Sequence, residues 1–223
     1  MLAYLKRPAE ALVRSKSAKA KATKSEVRID RTAKMYIGGK QTRSDSGYSM
    51  SVIGADGKIA GHVGAGNRKD IRNAVEVARN ASAWSKASTF NRSQVMFYLA
   101  ENLEARTQAF ISRLMQVSGQ SESDARAEVG DAVDLLIRYA GWSDKYDGAV
   151  HSVPVRGAVM AMNEPIGVVG VVCPEQFPLL GLVSMIAPNM AGGNRVVVVP
   201  GSVNPLFATD FYQVLDTSDV PAG

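Results

Sequence analysis

The chain has almost no cysteine and almost no histidine. Cys173 is the single thiol among 223 residues, so no disulfide can close within the chain and no cysteine-based zinc cluster can be built from it. His62 and His151 are the two imidazoles; they lie far apart, without neighbouring ligands, which gives a histidine metal site little support. No apolar run approaches the roughly 18 residues of a membrane-spanning helix, so no transmembrane segment is expected. No internal repeat is visible. Cysteine usage this sparse fits a reducing, cytoplasmic setting.

With 46% apolar and 21% charged residues, the composition is that of a globular protein, long enough for one sizeable domain or one domain plus part of another. Charge is unevenly placed. Residues 1–34 hold ten Lys or Arg against three acids, whereas the rest hold 16 basic and 18 acidic side chains. The Ala/Ser/Lys-rich stretch at 14–24 has too few apolar residues to offset its ordering entropy, so residues 1–34 are expected to be a basic flexible tail or linker. Nucleic-acid binding by this segment is disfavoured, because no aromatics interleave its basic part and no recognised motif follows. A secretory signal lacks its apolar core here, and the segment is richer in lysine than a transit peptide.

Downstream, Met35-Tyr-Ile-Gly-Gly-Lys40 predicts a short strand entering a glycine turn. Residues 48–53 and 58–63 flank Asp56-Gly57 and predict a β-hairpin. From Asn67, a helix cap, the residues Ile71, Ala74, Val75, Ala78, Ala81 and Trp84 recur at helical steps. A second helix is predicted from Thr89, its stripe running Val95, Leu99, Leu103, Phe110, Leu114 and Val117 until Ser118-Gly119 ends it. Ser121 and Asp124 have the capping-box spacing and open a third helix carrying Val129, Val133, Leu136, Ile137 and Ala140.

After Gly148 the chain becomes β-rich. Residues 149–155 and 158–162, separated by Arg156-Gly157, predict a hairpin. The apolar runs at 166–172 and 195–199 predict strands buried on both faces of a parallel sheet. The helix between them, at 179–192, makes a right-handed βαβ unit, and a further helix starts near Phe207. Two parallel strands cannot cover themselves, so the chain is expected to be part of a larger fold.

The stretch Glu164-Pro-Ile-Gly-Val-Val-Gly-Val-Val-Cys-Pro-Glu-Gln-Phe-Pro178, with Ala187-Pro-Asn-Met-Ala-Gly-Gly-Asn194 and Val196-Val-Val-Val-Pro200, resembles the aldehyde dehydrogenase superfamily. Residues 35–40, Ala83-Trp-Ser85 and Tyr139-Ala-Gly-Trp-Ser-Asp-Lys-Tyr-Asp-Gly148 extend the resemblance in the family's order, so that it covers roughly 35–223. It implies an α/β fold: a partial aldehyde dehydrogenase architecture with a helical layer, an incomplete Rossmann-like parallel sheet and a β-hairpin. It implies a cofactor-binding domain over 35–223, in which the hairpin at 149–162 resembles the oligomerisation element. NAD or NADP is the implied cofactor and aldehyde oxidation to the acid the implied reaction.

Carried over by position, the resemblance places Val172, Cys173, Pro174, Glu175, Val199 and Ser202 in the cofactor crevice and Gln176 at the oxyanion donor. Several of these depart from the family pattern. Gln176 replaces an asparagine, keeping the donor but lengthening it by one methylene; losing a well-aimed oxyanion donor costs about 2.7–4 kcal/mol of barrier. Glu175 replaces a tryptophan and brings a negative charge to where phosphates and ribose would lie. Val199 and Ser202 stand where the family has a lysine and a glutamate that bond the adenosine ribose. Unpaired buried hydroxyls cost roughly 1–3 kcal/mol each, so weak or absent dinucleotide binding is expected, although Val199 also reads simply as the last core residue of a buried strand.

The family's nucleophilic cysteine and general-base glutamate fall beyond Gly223, and Cys173, flanked by apolar residues with no base nearby, reads as a small buried hydrophobe. The first βα turn carries no glycine-rich phosphate loop, and Gly192-Gly193 reads as a helix end. Residues 1–6 look like the closing segment of an aldehyde dehydrogenase, an arrangement resembling two-module members whose second module lacks the full catalytic set. Two readings lead, ahead of a third in which the basic segment is a binding module for an acidic polymer and loses affinity steeply with salt. The chain is one wall of an aldehyde-oxidising enzyme, or it is a non-catalytic module for assembly, as a homo-oligomer or with the remaining half of the fold.

Overall fold

The computed structural model describes residues 31–222. Most of the basic segment, and the resemblance at residues 1–6, lie outside the described residues. Ala33 forms a parallel bridge with Val63. A hairpin follows, β1 (Met35–Ile37) and β2 (Lys40–Thr42), turned by Gly38 and Gly39 at φ 63° and 71°, a pair of left-handed positions that a tight hairpin needs and glycine takes freely. The second hairpin, β3 (Ser49–Ile53) with β4 (Ile59–Gly64), matches the expected antiparallel pair, with Gly57 at φ 77° in its turn.

Helix α1 (Arg68–Asn80) starts where Asn67 predicts. The Asn67 side chain accepts from the N–H groups of Lys69 and Asp70, while Asp70 accepts from the Asn67 N–H, closing a capping box. Asp70 also binds Ser44 and the Asp45 N–H at 2.7 and 3.0 Å, tying the preceding loop to the helix. The periodicity predicts one helix through Trp84, but the structure breaks it at Ala81 and restarts it as α2 (Ala83–Lys86). The cause is tertiary: the buried Trp84 indole donates to the Met190 carbonyl at 3.0 Å. Ile71, placed on the apolar stripe, is exposed.

The long helix expected from Thr89 is likewise two, α3 (Thr89–Ala105) and α4 (Thr107–Ser118), meeting at Arg106. There the Arg106 N–H takes the tighter turn to Leu103, Thr107 Oγ1 donates to Glu104 O at 2.6 Å, and the Arg106 guanidinium reaches Gln213 at 3.0 Å. The bend swings Phe110, Ile111 and Leu114 into the core. Gly119 ends α4 in the left-handed conformation, φ 68°.

Helix α5 (Glu122–Ser143) is capped by Ser121, whose oxygen accepts from the Asp124 N–H and whose hydroxyl donates to the Asp124 carboxylate. The acid thus bonds the cap side chain where a full capping box would bond its backbone. Ala125, Ala132 and Ala140 on α5 let α3 and α6 (Pro178–Ala191) approach closely, so that Met96, Leu99, Leu136, Leu179 and Val183 are buried together. Ile137 faces out, contrary to its expected core position.

The second half confirms the βαβ unit: β7 (Val168–Val172), α6, then β8 (Arg195–Val199), parallel and in register from Val168 with Arg195 to Val172 with Val199. Helix α7 (Leu206–Asp216) follows. Among the described residues these strands pair only with each other, so burial on both faces is not reached. Val172 is 75% and Val199 39% exposed. The hairpin expected over 149–162 is shorter than its apolar pattern suggests, pairing only β5 (Ala149–His151) with β6 (Val159–Ala161). Pro154, which has no N–H to give a ladder, stands inside the segment read as strand. No helix of the described residues is long and apolar enough to cross a membrane, and no group of three or more His, Cys, Asp or Glu among them is placed to hold a metal ion.

Candidate functional site

Open parallel sheets take their ligands outside the carboxyl ends of the strands. In this chain two loops leave those ends, residues 173–177 after β7 and 200–205 after β8. The Cys173 N–H donates to the Val199 carbonyl at 2.9 Å, continuing the ladder one step past the strands and holding the loops side by side.

Cys173 is buried, and desolvation pushes its thiol up to about 11. It is protonated near neutrality and packs as a small apolar group, not as a nucleophile. Pro174 lies on the first turn of α6: a methyl on Gly181 would come within 2.6 Å of Pro174 Cγ, so glycine is what permits the close approach. Phe177 enters α6 at φ 49° and ψ 64°, a left-handed conformation costing a non-glycine residue roughly 1–2 kcal/mol.

Something must hold that turn, and the structure identifies it as Glu128. Pro178 at the head of α6 has no N–H, so the N–H groups of Leu179 and Leu180 are the first donors left without a helical partner. Both donate to Glu128 Oε1, at 2.9 and 3.1 Å, and Gln120 donates to Oε2 at 2.7 Å. The carboxylate comes from the apolar face of α5, is 4% exposed, and sits at the positive end of the α6 dipole.

Across the mouth of the two loops lies Glu175. Its Oε1 accepts from the Ser202 N–H at 2.8 Å and from the Ser202 hydroxyl at 2.9 Å, and its Oε2 accepts from the Val203 N–H at 3.0 Å. Gly201 makes room for it, because a methyl there would meet Glu175 Oε2 at 2.7 Å. Charge-assisted bonds of this kind are about twice as strong as neutral ones. Beneath them a cavity of about 10 Å³ is lined by Cys173, Glu175, Leu182, Gly201, Asn204 and Phe207 among others. Asn204 is 9% exposed, and its Oδ1 has no hydrogen-bond partner.

Of the residues singled out from the sequence, Cys173, Pro174 and Glu175 line this cavity, and Ser202 joins them through Glu175. Val172 and Val199 stand at the strand ends with exposed side chains, and Gln176 is exposed outside the cavity lining. Sequence reasoning missed Glu128, Gly181, Gly201 and Asn204. The signal for Glu128 was a carboxylate recurring in step with Ala125, Val129 and Ala132 on an otherwise apolar stripe.

The family model described as "Aldehyde dehydrogenase family" matches residues 13–223. The chain is 32% identical to aldehyde dehydrogenase family 2 member B4, mitochondrial, of Arabidopsis thaliana over 185 residues, 80% of this chain and 34% of that protein. It is 28% identical over 198 residues to the cytosolic 10-formyltetrahydrofolate dehydrogenase of Mus musculus, 85% of this chain and 22% of that one. Among solved structures, betaine aldehyde dehydrogenase from Staphylococcus aureus in complex with NAD+ superposes with a TM-score of 0.83 at 23% identity, covering 86% of this chain and 39% of that chain. The chain spans about a fifth to two-fifths of the length of the curated relatives it matches.

Proposed function

Because this chain belongs to the aldehyde dehydrogenase family, we propose that it forms one wall of the NAD(P) crevice of an aldehyde-oxidising fold, in a form that holds dinucleotide weakly or not at all. On this reading residues 1–34 are a linker and 35–223 a partial cofactor-binding domain. The observation that carries it is the Glu175 carboxylate seated on the Ser202 and Val203 N–H groups. The residues present do not fit a dinucleotide in this arrangement. The Ser202 hydroxyl is already committed to Glu175, Val199 offers no polar group, and the cavity of about 10 Å³ compares with roughly 300–1,000 Å³ for small-molecule sites. No reaction step is therefore assigned through the dinucleotide, and Gln176 stands at the oxyanion-donor position without an assigned turnover.

A second reading, service as a non-catalytic assembly module in a cytoplasmic setting, is favoured by the hairpin at 149–162. All six of its paired residues are exposed, Val150 at 76% and Met160 at 63% among them, and Met162 just beyond is 76% exposed, an apolar surface of the kind that marks a contact with another copy or with the rest of the fold. Titration of the purified chain with NAD and NADP by calorimetry tests the first proposal. Dissociation constants of about 1 mM or weaker are expected, about −4 kcal/mol or less of binding; micromolar affinity would overturn it.

A further inference from the structure

We propose that Glu175 is a built-in competitor for a site of its own chain: the turn at Ser202 and Val203 is an anion-accepting loop, and the Glu175 carboxylate occupies it as a tethered ligand that must leave before a phosphorylated ligand can enter. The inference rests on the reading of this crevice as a dinucleotide wall and deepens it from weak binding to self-occlusion.

Three donors converge on one small volume. Two backbone N–H groups and one hydroxyl, all from two consecutive residues, point at the two oxygens of Glu175 within 2.8–3.0 Å. Consecutive N–H groups turned toward one point, with a hydroxyl beside them, suit the oxygens of a phosphate as well as those of a carboxylate. The carboxylate arrives from the other loop, 27 residues earlier, on a residue that is itself exposed. The turn thus holds the carboxylate through three hydrogen bonds.

The layer beneath fits the same reading. Asn204, which lines the cavity, is nine-tenths buried and its acceptor oxygen has no partner, a state that is unfavourable until some group meets it. Leu182 and Phe207 add an apolar wall. With Glu175 swung away, the crevice presents three donors at its mouth for anionic oxygens, one acceptor further in for a hydroxyl or amino group, and an apolar face. That order matches the phosphorylated sugar of a nucleotide. A tethered group competes at an effective concentration in the millimolar range, and a latch closed 99% of the time weakens apparent binding about a hundredfold.

The test uses the full chain as wild type and with Glu175→Gln or Glu175→Ala. Inorganic phosphate, NAD and NADP are titrated by calorimetry, and the amide shifts of Ser202 and Val203 are followed by NMR. Expected is at least a tenfold gain in affinity for inorganic phosphate or NADP in Glu175→Ala, with shifts at both amides, and a gain in the same direction in Glu175→Gln. A larger gain for NADP than for phosphate identifies the nucleotide as the source of the anion. Equally weak binding by all three proteins overturns the latch while leaving the reading of a weak cofactor wall intact; micromolar NAD binding by the wild type overturns both. Should Glu175→Ala fail to melt cooperatively, Glu175→Asp, one methylene too short to span the crevice, carries the same expectation.

Discussion

Removing the Glu128 carboxylate should unlock the entry to α6, and the cost can be worked from its contacts. Glu128→Ala leaves the Leu179 and Leu180 N–H groups without their acceptor and strips Gln120 of its partner. Hydrogen bonds to a charged group are worth about 1.5–3 kcal/mol each, and an anion at a helix N-terminus in a partly buried setting adds up to about 2 kcal/mol. Water entering the vacated space recovers part of this, so a net loss of about 3–5 kcal/mol is expected, within the range for uncoupling a buried charge. Glu128→Gln keeps an acceptor oxygen for the two N–H groups, and its amide can serve the Gln120 Oε1, which has no partner; its cost should be about 1–2 kcal/mol. Urea unfolding of the full chain measures both as midpoint shifts at constant slope. Because Phe177 holds a positive φ only while its surroundings impose it, amide exchange at Leu179 and Leu180 should accelerate more than at Val183. A loss below about 1 kcal/mol in Glu128→Ala would refute the assignment of this carboxylate as the clamp on the turn.

Cys173 and Asp70 give opposite pH signatures. Burial pushes the Cys173 thiol up to about 11, so alkylation by iodoacetamide at pH 8 should run about two orders of magnitude slower than for an exposed cysteine with its pKa near 8.5. Its rate should climb tenfold per pH unit toward pH 10; fast labelling at pH 7 would contradict the buried placement. The unfolded thiol ionises first, so the folded state should lose stability as pH rises from about 8.5 toward about 11, a slope that Cys173→Ala removes. For Asp70, burial acts to raise the pKa, but the Asp45 N–H, the Ser44 hydroxyl, the Asn67 N–H and the Lys69 charge outweigh it and hold the carboxyl below its ordinary range. Its stabilisation is present above the unfolded value of about 3.9 and is lost as pH falls through the lower folded value. Asp70→Asn should cost about 1–2 kcal/mol at pH 7 and flatten that acid slope in urea titrations; an unchanged slope would show that the capping box does not set it.

Elements stabilised by their own neighbours were legible in the sequence. Asn67, Ser121 and Gly119 mark helix ends because the groups they satisfy lie within three or four residues. The two valine-rich runs and the apolar helix between them carry enough pattern to identify the parallel βαβ unit. The breaks at Ala81 and Arg106 were not legible, since their partners, Met190 and Gln213, lie more than 100 residues away and helical periodicity runs through both without a fault. The valine runs also misled at their ends. Apolar composition predicts burial, yet Val172 and Val199, the last residues of their strands, are exposed.

The candidate site was legible as a set of positions but not as a set of contacts. Glu175 in place of a family tryptophan and Ser202 in place of a family glutamate read, one at a time, as two separate losses. In space they form one feature, because the Ser202 hydroxyl and N–H are what the Glu175 carboxylate bonds. A carboxylate at position 202 would have confronted Glu175 across this mouth with like charge, and a tryptophan at position 175 would have left the Ser202 and Val203 N–H groups free for a ligand. The two departures are therefore compatible with each other and not with the family pattern taken singly. On the reading proposed above, the acid stands on the loop from which it takes a ligand's place and not on the loop from which it would accept a ligand's hydroxyls. On the same reading, Gly201 leaves room for the carboxylate and the Asn204 Oδ1 has no hydrogen-bond partner, as expected of a crevice filled from within.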